Sequence, residues 1–287
     1  MAGKMKTFAG IPILAWSSRA LRVGALTVLL AQAPIARADC PPVESRQGVL
    51  EDIDARLEIT LADGARLRLF GVDPPATIGG GGAEVGLRAA MTDRSLALGL
   101  MAAGRDRWGR RAARVAILGE SGDPDVDVAS MLIEGGKARV RLEPGPASCL
   151  APLFDLETRA RAARVGLWGD PDNAPIAALN REAFRGRAGQ SVVVEGRIAS
   201  IGETASRLYL NFGPVRTVDF AATATKATIK AFAAAGVDLR SLNGAFARVR
   251  GILDTRFGPQ IEIAYPAALE IDAKGSGSPY NGPLVRE

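Results

Sequence analysis

The chain has no histidine at all, and only two of its 287 residues are cysteine. Without imidazole it lacks the commonest general acid and base, which excludes histidine-metal nucleases and histidine-based catalytic triads. Cys-x-x-Cys spacing is absent, and so is a glycine-rich phosphate loop followed by Lys-Ser or Lys-Thr; the run Gly79 to Gly82 is a plain loop. Aromatic residues make up 5% of the chain, leaving few rings on which bases could stack. Long apolar runs are missing too. The longest, Val23 to Ala31, falls far short of the ~20 residues a membrane helix needs.

What is present is enough apolar material, 47%, for one large or two small folded domains. Lys4, Lys6, Arg19 and Arg22, the short apolar run and Ala36-Arg37-Ala38 form the pattern of a secretory signal over residues 1–38, with the mature chain beginning near Asp39 in the periplasm or outside the cell. The signal carries five basic residues and no acidic one, so of 36 basic residues 31 remain, against 31 acidic. The formal charge of +5 therefore disappears with the signal, and a general electrostatic attraction to nucleic acid is not expected. Cys40 and Cys149 both lie in the exported part, where an oxidising compartment predicts one disulfide between them.

The pattern divides the mature chain into a first domain over 39–172, a linker over 173–189, a second domain over 190–273 and a polar tail over 274–287. Alternation of Leu57, Ile59 and Leu61, an Asp63-Gly64 turn, and alternation of Leu67 and Leu69 predict a hairpin. A helix over Ala83–Thr92, a strand at Leu96–Leu100, a strand at Arg111–Leu118, and helices over Val126–Glu134 and Cys149–Val165 follow. In the second domain five strands are expected, at Ser191–Ile201, Arg207–Phe212, Val215–Phe220, Ala245–Leu253 and Gln260–Ile263, with a helix at Thr225–Ala235. Both halves suit a mainly β fold of two tandem five-stranded OB-like barrels with inserted helices.

Two segments carry the chemistry, Leu67-Arg68-Leu69-Phe70-Gly71-Val72-Asp73-Pro74-Pro75 and Asp106-Arg107-Trp108-Gly109-Arg110. Together with Met131 to Ala138 and Gly166-Leu167-Trp168 they resemble the thermonuclease family over residues 48–168. The resemblance implies an OB barrel, hydrolysis of DNA and RNA phosphodiesters, and calcium. It also implies that Arg68 and Arg110 grip one phosphate together; separately, the five arginines and one aspartate of 105–114 are dense enough for a local anion site, with Arg107 or Arg111 as a neighbour. Where that family continues with threonine, proline and a general-base glutamate, this chain reads Pro74, Pro75, Ala76; Glu84 is the carboxylate that could fold back as a substitute. Asp73 matches one calcium ligand, whereas an ungapped alignment puts Leu57 at another; a short slip brings Asp54 or Asp52 there, beside Glu58.

Tyr209, Phe212 and Phe220 of the second domain are candidates for base stacking, with core packing the expectation for at least two of them. The first reading is thus an exported thermonuclease-like protein that binds a phosphodiester, nucleic acid or another phosphate-bearing ligand, with slow hydrolysis or none. The alternatives are an active calcium-dependent nuclease with a relocated base, and an envelope module that contacts protein partners.

Overall fold

The computed structural model describes residues 40–75, 82–144 and 147–272. The expected signal, Ala76 and the 274–287 tail lie outside the described residues. The fold is mainly β with some helices. No helix among the described residues is long and apolar enough to cross a membrane.

The first sheet runs through β1 (Glu44–Ile53), β2 (Glu58–Leu61) and β3 (Arg66–Leu69). After the two-residue β4 (Val72–Asp73) and helix α1 (Ala83–Met91) come β5 (Ser95–Leu100), β6 (Arg111–Leu118) and β7 (Pro124–Asp127). The hydrogen-bond order is β3-β2-β1-β5-β6, and β6 returns to β3 in parallel, pairing Leu67 with Arg111 and Leu69 with Ala113. That pairing closes a five-stranded mixed barrel, with β7 added outside β6. The period-two pattern sets which face is inside: Ile59, Leu61, Leu67, Leu69, Leu96, Leu98 and Leu100 all enter the core, while Glu58, Arg66 and Arg68 alternate outward. Each buried leucine or isoleucine contributes about 1.5–3 kcal/mol, so a one-residue slip of any strand would forfeit several kcal/mol.

Helix α2 (Val128–Glu134) starts two residues later than its pattern suggests, because the Asp127 carboxylate accepts the Ser130 N–H at 2.7 Å and Pro124–Asp127 is strand. It ends at Gly135-Gly136. β8 (Arg139–Val140) pairs with β4, and α3 (Ala151–Ala162) then packs against α2. Gly136 and Gly166 are both left-handed, with φ of 58° and 57°, and a Cβ on either would strike the other's segment. The Leu167 N–H donates to Gly136 O at 2.8 Å. The two glycine landmarks of the sequence are therefore one contact, in which the loop after α3 clasps the end of α2.

The second sheet contains β9 (Ile176–Ala177), β10 (Ser191–Arg197), β11 (Ser200–Glu203), β12 (Arg207–Asn211) and β13 (Ala221–Thr225). Helix α4 (Lys226–Ala234), β14 (Phe246–Asp254), β15 (Gln260–Glu262) and β16 (Leu269–Asp272) complete it. It is an open eight-stranded sheet ordered β11-β12-β13-β15-β14-β10-β9, with β16 also on β14. The expected third strand at Val215–Phe220 is a correction: the strand is Ala221–Thr225, in register with Arg207–Asn211. Gly213-Pro214 and a left-handed Thr217 (φ 66°) bend residues 213–219 into a loop that exposes Val215 and Val218. The real strand was faint because Ala222 and Ala224, both fully buried, are too small to register as an apolar run. The stretch 173–189, which reads as a linker, carries β9 and places Ile176, Ala178 and Phe184 in the second core.

The two sheets meet along β8, α3 and β14. Arg250 of β14 donates to Glu157 of α3, at 3.0 Å in one arm of a bidentate pair, and to Val140 O at 3.2 Å; the other Glu157 hydrogen bond comes from the Val140 N–H at 2.8 Å. Arg139 spans the same joint to Ser191 O (3.0 Å) and Asn173 O (3.1 Å).

Cys40 and Cys149 form the expected disulfide, with Cα atoms 5.3 Å apart and 109 positions between them. Arg114 donates to both cysteine carbonyls, at 3.3 and 3.2 Å. For a loop of that length the chain-entropy relation gives about 4–5 kcal/mol. Cys149→Ser should therefore lower the urea midpoint without altering the far-ultraviolet circular dichroism of the native protein, and dithiothreitol should do the same to the wild type; an unchanged midpoint would refute a stabilising role.

Candidate functional site

The Asp106 to Arg110 turn explains its own spacing. The Asp106 carboxylate accepts the Trp108 N–H at 2.9 Å and the Arg110 N–H at 3.0 Å, and Gly109 takes the left-handed conformation (φ 79°) that brings the chain back into β6. The other carboxylate oxygen holds Arg110 Nε at 2.9 Å, and Arg110 reaches Glu58 of β2 with Nη1. Glu58 also takes Arg66, at 3.2 Å, and Arg66 donates to Trp108 O at 3.1 Å. Trp108 is half exposed, with the guanidinium of Arg107 3.9 Å and that of Arg110 4.6 Å from its ring centre.

Arg68 is engaged elsewhere. It forms a bidentate pair with Glu143, the second arm 2.8 Å long, and Glu143 is buried, accepting the Gly71 N–H at 3.3 Å as well. The structure thus gives each of the two arginines its own carboxylates rather than leaving them open to one shared phosphate. Sequence reasoning missed Glu143, which lies 75 positions from its partner on a segment without periodicity. Arg111 pairs with Glu44 at 2.9 Å and with Ala102 O.

The remaining candidates disperse. Glu84 sits in the first turn of α1, a helix that packs on β1 and is tied there by the Arg88–Asp52 pair at 2.6 Å; Glu84 makes no ion pair among the described residues. Asp54 accepts the N–H groups of Arg56 (2.9 Å) and Glu58 (2.8 Å) and so builds the β1–β2 turn. Leu57 in that turn is left-handed (φ 59°) and buried, so the position the resemblance assigns to a calcium ligand is core. Asp73 pairs in register with Arg139, whose pKa burial lowers against the opposing pull of the Asp73 charge. These residues do not assemble a calcium donor set, and no group of three or more His, Cys, Asp or Glu among the described residues could hold a metal ion.

A cleft of about 840 Å³ lies on the second sheet, over the outer face of β12, β13 and β15. Phe212 and Phe220 are buried, as expected, whereas Tyr209 faces the cleft. Across the sheet Tyr209 lies opposite Gly202 on one side and Thr223 on the other. A Cβ at Gly202 would come within 3.7 Å of Asn211 Nδ2, 3.8 Å of Arg216 Nη2 and 3.9 Å of Tyr209 Cβ, so these three side chains converge on a bare patch of backbone. Most lining charges are paired: Arg207 with Glu262 (2.6 Å), Arg256 with Asp254 (2.8 Å), Asp219 with Arg181 (2.7 Å), and Glu203 with Arg240 and Lys226 (2.8 and 2.9 Å). The Arg240 and Lys226 hydrogen bonds hold Glu203 at about 2, and those of Arg256 hold Asp254 at about 2.

No protein-family model matches the chain, and neither does any curated protein sequence. The class it falls in is therefore the one its architecture defines: a mainly β protein with a closed five-stranded OB-like barrel followed by an open eight-stranded sheet.

Burial is the largest influence on Asp106 and raises its pKa, but the Arg110 side chain and the two backbone N–H groups outweigh it and bring the carboxyl to about 2, below its ordinary 3.8. A depressed carboxylate stabilises the fold above its unfolded pKa and is lost as pH falls through its folded one. The Asp106 carboxyl carbon should consequently titrate in NMR near pH 2, and the Trp108 indole signal should hold its native position at pH 4. Titration near pH 4 would show that the turn is not held by this carboxylate.

Proposed function

We propose that the chain is an exported, non-hydrolytic binding protein of thermonuclease-like descent, built of two OB-like barrels in tandem. The tandem assignment is supported by connectivity. In each half the first strand pairs with the second and fourth, the third pairs in parallel with the fifth, and a helix joins the third to the fourth. In the second half β10 and β11 serve as the two arms of one bent first strand, joined through Ile198-Ala199. Export is supported by the signal pattern of residues 1–38 and by the disulfide.

The observation that carries the loss of hydrolysis is the Arg68–Glu143 pair. A phosphate that captured Arg68 would leave the buried Glu143 carboxylate with only Arg141, 4.0 Å away, in place of a bidentate partner, and breaking a buried pair costs about 3–5 kcal/mol. A charge-assisted hydrogen bond returns about 1.5–3 kcal/mol, so one new contact does not offset it. Arg110 has the same difficulty twice, with Glu58 and Asp106. The position of the family's base, Ala76, has no acid–base chemistry to offer. Binding then falls to the cleft on the second sheet. A second reading, weak phosphodiester binding at the arginine turn, is favoured by Arg105 and Arg107, which have no acidic partner among the described residues.

The test is cleavage of single-stranded DNA and RNA by the mature protein, with calcium and with chelator, beside Arg68→Lys/Arg110→Lys, which keeps both charges but loses the forked geometry. Cleavage is expected to be no faster for the wild type than for the variant. Calcium-dependent cleavage at least a hundredfold above the variant would establish a working nuclease instead.

A further inference from the structure

We infer that the cleft on the second sheet binds an oligosaccharide carrying isolated carboxylates, one of which is held by Arg216. The inference rests on the reading of the second sheet as the binding half of the protein, and extends it to a ligand class.

Charge decides between the polymers that an outer OB-like face could hold. A groove for single-stranded nucleic acid needs surplus positive charge to follow a backbone bearing one anion per residue. The lining here has three guanidiniums and four carboxylates. All four carboxylates are already paired with cations, so those charges largely cancel and the surplus left is too small to follow a run of successive phosphates. Arg216 is the one lining guanidinium without an acidic partner among the described residues. A single free guanidinium in a near-neutral cleft matches a ligand with a sparse negative charge, and its planar fork matches a carboxylate.

The rest of the lining suits sugar rings. Tyr209 presents a half-buried aromatic face beside the bare backbone of Gly202, where the C–H face of a pyranose can lie flat. Asn211, nearly buried beside that patch with Nδ2 on Ser200 Oγ at 3.2 Å, and Gln260, which hydrogen-bonds Asp254, bring amides whose second N–H remains for a hydroxyl. Phe257, 75% exposed on the β14–β15 hairpin, adds a second ring at the rim. The volume, about 840 Å³, is in the range of sites that enclose ligands of several rings.

The backbone that carries Arg216 is anchored on both sides. Its loop is tied at one end by Asp219, which accepts the Val215 N–H at 2.8 Å and the Arg181 side chain at 2.7 Å. At the other end Gly258 (φ 96°) packs against the Thr217 backbone so closely that no Cβ would fit, joining the loop to the hairpin that bears Phe257. Thr217, next to Arg216, is itself left-handed (φ 66°), a strained conformation that the surrounding contacts maintain.

Isothermal titration of the mature protein with three probes tests this: hyaluronan hexasaccharide, with one carboxylate per disaccharide, chitohexaose, which has none, and the oligonucleotide dT8. The hyaluronan hexasaccharide is expected to bind most tightly. Tyr209→Ala should weaken it at least tenfold and Tyr209→Phe should restore it. Arg216→Gln should bring its affinity down to that of chitohexaose while leaving chitohexaose unchanged. Tighter binding of dT8, hyaluronan affinity indifferent to Tyr209→Ala or Arg216→Gln, or no heat from any probe at millimolar concentration would each overturn the inference. The cleavage assay on the first barrel fails or succeeds separately, since neither cleft variant touches Arg68 or Arg110, and thermal melts of the variants verify that they fold.

Discussion

The ion pair between Arg250 and Glu157 is the constraint around which the two halves are arranged. Both side chains are almost completely buried, with 5% and 1% of their surface exposed. Two charges taken that far from water are tolerated only when most of their remaining hydrogen-bonding capacity is met, and of the pair's side-chain nitrogens and oxygens only Arg250 Nε lacks a partner among the described residues. Here Val140 supplies both a carbonyl for Arg250 and an N–H for Glu157, Glu270 stands 3.6 Å from the guanidinium, and the Phe154 ring lies 5.3 Å from it. Burial works against the charged guanidinium, yet the Glu157 and Glu270 charges win and its pKa is raised. Such a pair adds little net stability compared with a well-packed apolar contact, but it satisfies its partners in one relative placement of β8, α3 and β14 only. Its contribution is to specificity of assembly.

The same economy of charge runs through the whole chain. Only six of the 36 basic residues are lysines, and there is no histidine, so nearly every cation is a forked guanidinium that stays charged at all physiological pH values. Carboxylates facing those forks are pulled down in turn: Asp106, Glu203 and Asp254 to about 2. These three carboxylates stay ionised at neutral pH, and the forks that face them are fixed as cations, which suits surfaces whose charges do not change.

Much of the fold was legible because apolar periodicity is strong where it sets the barrel. Leu67, Leu69, Leu96, Leu98 and Leu100 alternate cleanly and all become core. The disulfide was legible from the cysteine count and a signal-like pattern at the start of the sequence. The third strand of the second half was not, because Ala221–Thr225 buries methyl groups rather than branched side chains, while the valines of the preceding loop mimic a strand. Nor could the sequence reveal who neutralises Arg68 or what surrounds Arg216. Those partners, Glu143 and the Gly202 patch, are brought close by topology, and no spacing rule connects positions so far apart.

The arginine turn shows how a conspicuous motif can be accounted for by its own folding chemistry. Each residue of Asp106-Arg107-Trp108-Gly109-Arg110 has a use in the turn itself. The aspartate collects two backbone N–H groups, the glycine supplies the left-handed conformation, the tryptophan carries two guanidiniums, and the last arginine ties the turn to β2. Such a segment has folding reasons of its own, since replacing the aspartate or the last arginine would strip partly buried groups of their partners. The outer face of the second sheet has no comparable motif, yet it holds the cleft, the half-buried ring and a guanidinium without an acidic partner among the described residues. In this protein the residues that stand out in the sequence hold the first barrel together, and those that line the cleft are brought side by side by strand register on the second sheet.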